Sequence, residues 1–513
     1  MTDLYETIRL HGFGDVAREH RRSRPHLLAV VDGAVRLDFT AFDRRTTQLA
    51  NALADRGVAR GGRVLWLGQN SFRILETLIA CAKLGAVFCP ANWRSSADEV
   101  TTLLRDFDPA VVIWQDAEVG ETLRKAREAS GGDRLWLQHD AEGQGSYEGL
   151  LAAGSETDPD TRINAELPLL AVFTAAFEGK PNAALLSHST LMYQNLIVGR
   201  GQAIDEDSVH LNSGPLFHLG TLMGALATFH LGGANVFAAR VDAVGLLELI
   251  QAEKATHAFI PAPTIEQIRE VNKEGLYDVS SLWSSPAAPE WKYPMCMPAD
   301  APMLRKLGGY GQSEVMGLIS FAYLGGTAAG RVSPMAQVTL LDDEGREVGP
   351  GETGEFAVRG PLVMNRYLGA DRENQRRGRF GWHLTNDLGK RAEDGSLIFV
   401  GPKTAIIKSA DENIYPADVE GCIRQHPAVA DVCVIGVPDP TWKQNVKAVI
   451  VLKPGQSASE ADIIEHCRAK IASYKKPKLV TFVDALPKFA GTPFTDRKAV
   501  DAAHGGGGYP SFG

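Results

Sequence analysis

Residues 40–89 read TAFDRRTTQLANALADRGVARGGRVLWLGQNSFRILETLIACAKLGAVFC and alternate helical with strand patterns. The apolar residues Phe42, Leu49, Ala50 and Leu53 are spaced for one helix face, which predicts a helix over residues 40–56 that ends before a glycine. The run RVLWL that follows reads as a buried strand. A second helix over 71–84 and a short strand over 86–89 repeat the pattern. This alternation predicts βαβ units and a mainly parallel sheet.

The same pattern returns at residues 244–260, but the character of the chain changes near residue 325. Glycine and Asp-Glu-Gly turns there separate short alternating runs at 337–341, 354–359 and 396–400, which indicates a small strand-rich subdomain. A further α/β section begins near residue 404. The final HGGGGYPSFG is glycine-rich, and we predict a flexible tail.

The composition excludes several classes of protein. The chain has 513 residues, 44% of them hydrophobic and 22% charged, which is typical of globular domains with large cores. A net charge of −9 argues against a nucleic-acid-binding face. The sequence shows no apolar run of the roughly 18–20 residues that a membrane span needs, and no secretory signal. Six scattered cysteines indicate reduced thiols, so we expect a cytoplasmic protein without a membrane or nucleic-acid partner.

Seven short motifs occur in a fixed order over most of the chain. Together they resemble the adenylate-forming superfamily, and most closely its acyl-CoA ligases. The motifs are LFHLG (216–220), SSPAAP (284–289), GYGQSE (309–314), GEFAVRGPLVMNRYL (354–368), GWHLTNDLG (381–389), DENIYPADVE (411–420) and GVPDPTW (436–442).

The resemblance implies an α/β fold in three parts. Residues 1–402 would form a large N-terminal domain of two α/β subdomains and a small β subdomain. Residues 403–501 would form a mobile α+β C-terminal domain, followed by the flexible tail over 502–513. The family joins a carboxylate to ATP to give an acyl-adenylate and pyrophosphate. Its C-terminal domain then rotates, and the thiol of CoA displaces AMP.

The loop that holds phosphates in this family has the form T-S-G-T-T-G-x-P-K-G. Its glycines bring backbone N–H groups to the phosphate oxygens, its hydroxyls donate hydrogen bonds, and its lysine supplies charge. This chain aligns with it over residues 174–183 without a gap, and most of those groups are lost. The aligned residues are Thr174, Ala175, Ala176, Phe177, Glu178, Gly179, Lys180, Pro181, Asn182 and Ala183.

A second loss is independent of the first. The family's motif P-K-T-x-x-G-K carries the lysine that bridges carboxylate and phosphate during adenylation, and Pro493 stands at that position here. Loss of a preorganised transition-state contact often costs about 3–4 kcal/mol. Both losses affect the first half-reaction, whereas thiol attack on a mixed anhydride requires mainly alignment.

The resemblance also implies which functional residues remain. His218, Glu314 and Asn413 are the candidate catalytic residues, although the LFHLG context alone distinguishes His218 from a packed polar residue. The candidate adenylate site comprises Ser285, Pro286, Ala287, Ala288, Pro289, Gly309, Tyr310, Gly311, Ser313 and Asp387, with Tyr310 expected to stack on adenine. Lys403 and Thr404 would form the hinge. Lys408, Ser409, Ala410, Asp411 and Glu412 would form the tunnel for the pantetheine arm of CoA.

The second-step residues are altered as well. Pro402 replaces an arginine, Thr404 an acidic residue, and Asn386 the glycine before Asp387. Ala410 and Asp411 replace glycines, and Lys443 and Gln444 replace the usual Gly-Glu after a tryptophan.

Three hypotheses follow. The first is a non-adenylating ligase that converts a preformed acyl-adenylate and CoA to acyl-CoA and AMP. It resembles a divided ligase of actinobacterial diterpenoid pathways of the platensimycin and platencin type, and it requires a separate adenylating enzyme as supplier. The second is a complete but weak ATP-dependent ligase, and the third is a non-catalytic binding protein. We expect no tightly bound cofactor and no metal centre, and the role of magnesium at Glu314 stays open.

Overall fold

The structure is a computed structural model that describes residues 4–174, 181–282, 295–410, 412–488, 495–508 and 510. Several of its helices begin directly after a residue whose side chain caps the helix. Asp38 accepts a hydrogen bond from the backbone N–H of Ala41, and Ser71 accepts one from Arg73. The helices are Leu4–Ile8, Phe13–Ser23, Phe39–Asp55, Phe72–Leu84, Ala97–Phe107, Asp116–Ser130, Tyr147–Ala153, His188–Gln202, Leu219–Leu231, Ala243–Glu253, Ala262–Val271, Asp371–Arg377, Pro416–Ile423, Glu460–Lys470 and Arg497–Ala503.

Two large sheets form the N-terminal part. Parallel pairs make up the centre of each sheet. Antiparallel pairs lie at both edges of the first sheet and at one edge of the second, whose other edge is a parallel pair. The first sheet has the order Met295–Cys296, His257–Phe259, Val209–Asn212, Ala234–Phe237, Leu28–Asp32, Val35–Asp38. The second has the order Arg366–Tyr367, Asn182–Ser187, Pro168–Thr174, Val87–Pro90, Arg63–Leu67, Val111–Trp114, Leu135–Gln138.

A layer of helices joins these two sheets. The largest hydrophobic core combines side chains from both, including Val30 and Phe237 of the first and Trp66 and Leu170 of the second. Further helices cover the outer faces, among them Ala243–Glu253. The predicted α/β class and parallel sheet are therefore confirmed.

Two smaller sheets follow along the chain. The third has the order Gln337–Leu341, Gly354–Arg359, Trp382–Arg391, Gly378–Arg379, and Leu397–Pro402 pairs with the long strand. The fourth, or C-terminal, sheet has the order Glu412–Ile414, Ile407–Ser409, Lys443–Leu452, Val429–Asp439. The strand Leu479–Phe482 pairs with Lys443–Leu452. Short two-stranded pairs join Gly311–Gln312 to Gly317–Leu318 and Ser320–Phe321 to Arg331–Val332. The change from the third to the fourth sheet lies between residues 402 and 407.

The flexible tail over 502–513 stays a prediction, and the described part of that segment makes defined contacts. The last helix runs to Ala503, and Gly507 and Gly508 then make hydrogen bonds with Gly436 and Gln444 of the C-terminal sheet. Composition alone suggested flexibility, whereas the glycines allow close contact between backbones.

All six cysteines have free thiols, and five of them are buried. In the described parts of the chain, no helix has both the length and the apolar character for crossing a bilayer.

Candidate active site

A cavity of about 1220 Å³ lies between the N-terminal part and the C-terminal domain. Many of the predicted site residues line it together: Thr174, His218, Gly309, Tyr310, Gly311, Ser313, Glu314, Asp387, Lys408, Glu412 and Asn413. The predicted residues Asn182, Lys403, Thr404, Ser409 and Ala410 are described but do not belong to the lining. The predictions for residues 175–179, 285–289, 411 and 493 lie outside the described residues.

Asp387 lies on the long strand of the third sheet and accepts a hydrogen bond of 2.8 Å from the Tyr310 hydroxyl. Burial is the main cause that raises the pKa of Asp387 to about 7, and the charges of Glu314 and Glu355 add to it. Burial and the charge of Asp387 also raise the pKa of Tyr310 well above its usual value, so the phenol stays a donor. Gln312 donates to the Tyr310 hydroxyl at 3.3 Å.

The structure changes the interpretation of Tyr310. Its side chain is 6% exposed, and its ring contacts Phe356 at 4.6 Å and Phe399 at 5.8 Å between centroids. The predicted stacking of adenine on this ring would therefore require its neighbours to move. In the present arrangement Tyr310 positions the Asp387 carboxyl.

Glu314 lies on the short 3₁₀ turn Ser313–Val315 and is 3% exposed. The Tyr367 hydroxyl donates to its Oε1 at 2.7 Å. Burial and the nearby Glu314 charge raise the pKa of Tyr367, which keeps this hydroxyl protonated. Among the described residues, no three His, Cys, Asp or Glu side chains converge on a common metal position.

His218 caps the helix Leu219–Leu231 and contacts the C-terminal domain. Its Nε2 lies 3.3 Å from Oε1 of Glu412, and the same oxygen accepts a bond of 2.9 Å from Arg94. Burial acts to raise the pKa of Glu412, but the His218 hydrogen bond and the charges of His218 and Arg94 outweigh it and lower that pKa. Because an ionised carboxylate only accepts, the shared proton resides on Nε2 of His218.

The strands Ile407–Ser409 and Glu412–Ile414 form a hairpin that we call the tunnel hairpin. On it, the Lys408 ammonium donates to Asn413 at 3.1 Å, and both residues line the cavity. Ala410 has a φ of +50°, a left-handed conformation that explains why the related motif has glycine there. Its backbone N–H donates to the carbonyl of Trp442 at 2.7 Å.

The segment aligned with the phosphate loop is the connection of a β-hairpin. Thr174 and Asn182 face each other at the ends of its two strands, and the Thr174 hydroxyl donates to the Asn182 carbonyl at 3.3 Å. Thr174 and Pro181 line the cavity, so both ends of this loop are at the site.

Lys488 and Thr495 flank the segment that would carry the adenylation lysine, and they form an isolated antiparallel bridge with each other. The Lys488 ammonium bonds to Asp431 at 2.6 Å and to the Thr495 hydroxyl at 2.9 Å, on the C-terminal domain. Neither Lys488 nor Thr495 lines the cavity.

A model of the AMP-binding enzyme family matches residues 17–368, and a model of the AMP-binding enzyme C-terminal domain matches residues 418–491. The chain belongs to the AMP-binding enzyme family.

Similar proteins place this AMP-binding enzyme in the acyl-CoA ligase branch. It is 33% identical to an indoleacetate–CoA ligase of Aromatoleum aromaticum, over 86% of this chain and 88% of that protein. It is also 33% identical to a feruloyl-CoA synthase of an Amycolatopsis species, over 94% of this chain and 96% of that protein.

The fold is that of known adenylate-forming structures. The amide bond synthetase McbA of Marinactinospora thermotolerans has a TM-score of 0.79 at 22% identity, covering 96% of this chain and all of that one. A double mutant of the o-succinylbenzoate CoA synthetase MenE of Bacillus subtilis, bound to a product analogue, has a TM-score of 0.78 at 22% identity, over 95% and 98% of the two chains.

Side-chain bonds hold the predicted hinge residues Lys403 and Thr404 of this AMP-binding enzyme in place. Asn386 has a φ of +64°, which asparagine tolerates better than most residues, and its side-chain amide donates to the Thr404 hydroxyl. Lys403 forms ion pairs with Asp343 at 2.6 Å and with Glu355 at 3.0 Å. Two departures that looked unrelated in sequence, Asn386 and Thr404, are therefore partners.

The polar lining of the cavity is mainly acidic. Among the described lining residues there are three lysines, and each has a side-chain partner: Lys408 bonds to Asn413, Lys470 to Gln425 at 3.0 Å and Lys475 to Glu99 at 2.7 Å. Seven lining residues carry carboxyl groups: Asp98, Glu99, Asp106, Glu314, Asp387, Glu412 and Asp418.

Sequence reasoning missed the residues that join the two domains. Glu99 accepts bonds from the backbone N–H of Ala472 at 2.9 Å and from Lys475, while the Ser96 hydroxyl donates to the Lys470 carbonyl at 2.7 Å. The pattern Ser-Ala-Asp-Glu over 96–99 signals a capping box, which the structure contains, but it does not reveal a second set of partners.

Proposed function

We propose that this AMP-binding enzyme catalyses only the second half-reaction, acyl-adenylate and CoA to acyl-CoA and AMP. The sulfur of CoA attacks the acyl carbon, a C–S bond forms, and the C–O bond to the phosphate breaks with AMP as leaving group. The thiol loses its proton. A separate adenylating enzyme supplies the acyl-adenylate.

The observation that carries this proposal is the charge of the cavity. Seven carboxyl groups and three lysines line its described part, and each lysine already has a side-chain partner. Burial raises the pKa of Asp387 to about 7 and that of Asp418 to about 6, so these two carboxyl groups are only partly ionised near neutral pH. Two like unit charges about 5 Å apart repel by about 3 kcal/mol at an effective dielectric of 20. A triphosphate is disfavoured here, and the sequence has alanine, phenylalanine, glutamate, asparagine and proline where the family has hydroxyl groups and lysines.

The position of the tunnel hairpin supports the thiol step. Its Glu412 contacts His218 on the N-terminal part, so the hairpin is close enough to guide a thiol to the acyl carbon. When the His218 ring is neutral, with its proton on Nε2, Nδ1 is its acceptor. His218 is 44% exposed and lines the cavity, which suits it to take the thiol proton.

An exposed tryptophan beside the tunnel hairpin supports CoA as the thiol carrier. Trp442 is 43% exposed, and the Lys478 ammonium lies 4.6 Å from the centre of its ring. An exposed indole beside a cation suits an adenine base and its phosphates. The Trp442 carbonyl is bonded to Ala410, so this platform adjoins the hairpin.

A complete ATP-dependent ligase is the second candidate. The observation that favours it is 33% identity to proteins named indoleacetate–CoA ligase and feruloyl-CoA synthase. Those names suggest an aromatic acyl group, whereas the resemblance to the diterpenoid type suggests a bulky terpenoid acid. The substrate panel should contain both classes.

Two parallel reactions test the proposal. One contains acid, ATP, magnesium and CoA, and the other contains synthetic acyl-adenylate and CoA, with acyl-CoA, AMP and pyrophosphate measured in each. We expect acyl-CoA only in the second. Acyl-CoA with pyrophosphate in the first would support the complete ligase. Absence of product from both, with acyl-adenylate binding seen by calorimetry, would support the non-catalytic hypothesis.

A restored variant serves as the control. It combines Pro493→Lys with Ala175→Ser, Ala176→Gly, Phe177→Thr, Glu178→Thr, Asn182→Lys and Ala183→Gly. Because these changes return the charge and the donors that adenylation needs, we expect pyrophosphate release from acid and ATP. A folded variant that releases none would show that other losses, Pro402 first, also block adenylation.

A further inference from the structure

The C-terminal tail packs against the sheet that carries the tunnel hairpin. After the helix Arg497–Ala503, the Lys447 ammonium donates to the His504 carbonyl at 2.8 Å, and Gly507 N–H donates to Gly436 at 3.3 Å. Gly508 N–H donates to Asp501 at 3.2 Å. Residues 504–508, which we call the tail segment, are thus held at several points.

Each glycine of the tail segment has either a left-handed backbone or a close neighbour. Gly505 and Gly508 have φ values of +77° and +63°, which disfavour other residues. A Cβ on Gly506 would lie 1.9 Å from Asp501, and one on Gly507 would lie 2.7 Å from Pro438. The backbone conformations of Gly505 and Gly508 and the close approach of Gly507 to Pro438 therefore favour glycine at these positions.

Gln444 connects this segment to the hairpin. Its side chain is 2% exposed, and both the nitrogen and the oxygen of its amide form hydrogen bonds. Its Nε2 donates to the Gly508 carbonyl at 2.5 Å, and its Oε1 accepts from the backbone N–H of Lys408 at 2.8 Å. Lys408 lines the cavity, so one side chain links the tail segment to the cavity wall.

We propose that Gln444 and the tail segment form a unit that positions the tunnel hairpin for thiol attack. Gln444 is a positioning residue, because it acts through Lys408 and the hairpin backbone. The inference rests on the proposed function in that it assigns the unit to the thiol step. It extends that function, because it gives the tail segment a part in positioning the hairpin at the active site.

The chemistry of the side chain explains why glutamine is needed. A glutamate at 444, as in the related motif, could still accept from Lys408 N–H but would have no N–H for Gly508. Its second oxygen would face a carbonyl oxygen, so the tail segment would be released. Gln444→Glu therefore breaks one end of the link with almost no change in shape.

The first test compares Gln444→Glu with two truncations of the full chain. One truncation ends after His504 and removes Gly508, and the other ends after Pro510 and keeps it. In reactions of acyl-adenylate with CoA, we expect Gln444→Glu and the shorter chain to raise the KM for CoA about 10-fold, the effect of one lost hydrogen bond. Binding of acyl-adenylate and the chain ending at 510 should be unchanged.

A second measurement does not depend on activity. Hydrogen exchange in the peptide covering 407–414 should become about 10-fold faster in Gln444→Glu and in the chain ending at 504, but not in the chain ending at 510. Gly508→Ala, which opposes the positive φ, should act in the same direction if Gln444→Glu fails to fold.

The outcomes separate the two proposals. If the wild-type chain forms no acyl-CoA from acyl-adenylate, the proposed function fails, and exchange alone still decides whether the unit holds the hairpin. Unchanged exchange at 407–414 in the folded variants would overturn the inference. Faster exchange with an unchanged KM for CoA would also overturn it, because the unit would then be structural only.

Discussion

At the scale of single residues, Asp387 combines a role in the site with a cost to stability. It accepts from Tyr310 at 2.8 Å inside a cavity wall that also contains Glu314. Burial raises its pKa to about 7, so the folded protein keeps a proton on this carboxyl that the unfolded chain releases near pH 4. Between these pH values the folded state binds more protons, and the free energy of unfolding falls as the pH rises.

Asp387→Asn should remove this pH dependence. We expect the wild type to lose stability between about pH 4 and pH 7, by about 1.4 kcal/mol for each pKa unit, and the variant to lose less. Urea unfolding at a series of pH values measures the effect. Asp55→Asn, at an exposed helix end, is the control, and equal slopes in wild type and Asp387→Asn would contradict the prediction.

At the scale of elements, the turn of the tunnel hairpin has the left-handed backbone conformation that favours glycine, although no glycine is there. Ala410 at its tip has a φ of +50°, and Lys443, at the start of the neighbouring strand Lys443–Leu452, has a φ of +66°. A left-handed conformation costs a non-glycine residue about 1–2 kcal/mol. The conformation is held from outside, by the bond between Ala410 and the Trp442 carbonyl and by the Lys443 ammonium, which donates to the Ala410 carbonyl at 3.3 Å.

Ala410→Gly should therefore stabilise the chain. Relief of the left-handed strain exceeds the extra entropy of glycine in the unfolded state, so we expect a gain of about 0.5–1 kcal/mol. The adjacent Ser409→Gly is a matched control, since Ser409 lies in an extended strand and should lose about 0.5–1 kcal/mol. Thermal unfolding of both variants tests the opposite signs, and a loss of stability in Ala410→Gly would refute the strain argument.

At the scale of the whole molecule, a short segment before and at the start of the helix Ala97–Phe107 holds the two domains together. Arg94 bonds to Glu412, Ser96 to the Lys470 carbonyl, and Glu99 to Ala472 and Lys475. Burial raises the pKa of Asp418, 3.5 Å from the Lys475 ammonium, to about 6. These contacts between the domains are mainly polar, which suits reversible docking.

Glu99→Gln should weaken this docking. The variant loses a charge-assisted bond to Lys475, which is worth about 1.5–3 kcal/mol, so we expect acyl-CoA formation from acyl-adenylate to fall about 10- to 100-fold. Acyl-adenylate affinity should change little. Initial rates and small-angle scattering measure the effect, with Glu121→Gln on an exposed helix face as the control for charge. A normal rate with an undocked domain would show that docking is not needed.

Much of the fold could be predicted, because helices and strands leave local patterns in the sequence. The helix predicted over 40–56 spans Phe39–Asp55, and the strand Arg63–Leu67 has the predicted bounds. Caps and apolar spacing act over a few residues, so they are visible in sequence. The contacts of the tail segment could not be predicted, because they involve Gln444 and Pro438, which are distant in the chain.

The sequence by itself determined the α/β class and the family, since these depend on residue types and their spacing, and it predicts that Pro493 stands where the family has its adenylation lysine. Only the tertiary structure decided that Glu412 contacts residues 194 and 318 positions away, and that Asn386 bonds to Thr404. The physical reason is that side-chain pairs are formed by packing and domain docking, which bring together groups whose separation in sequence carries no signal.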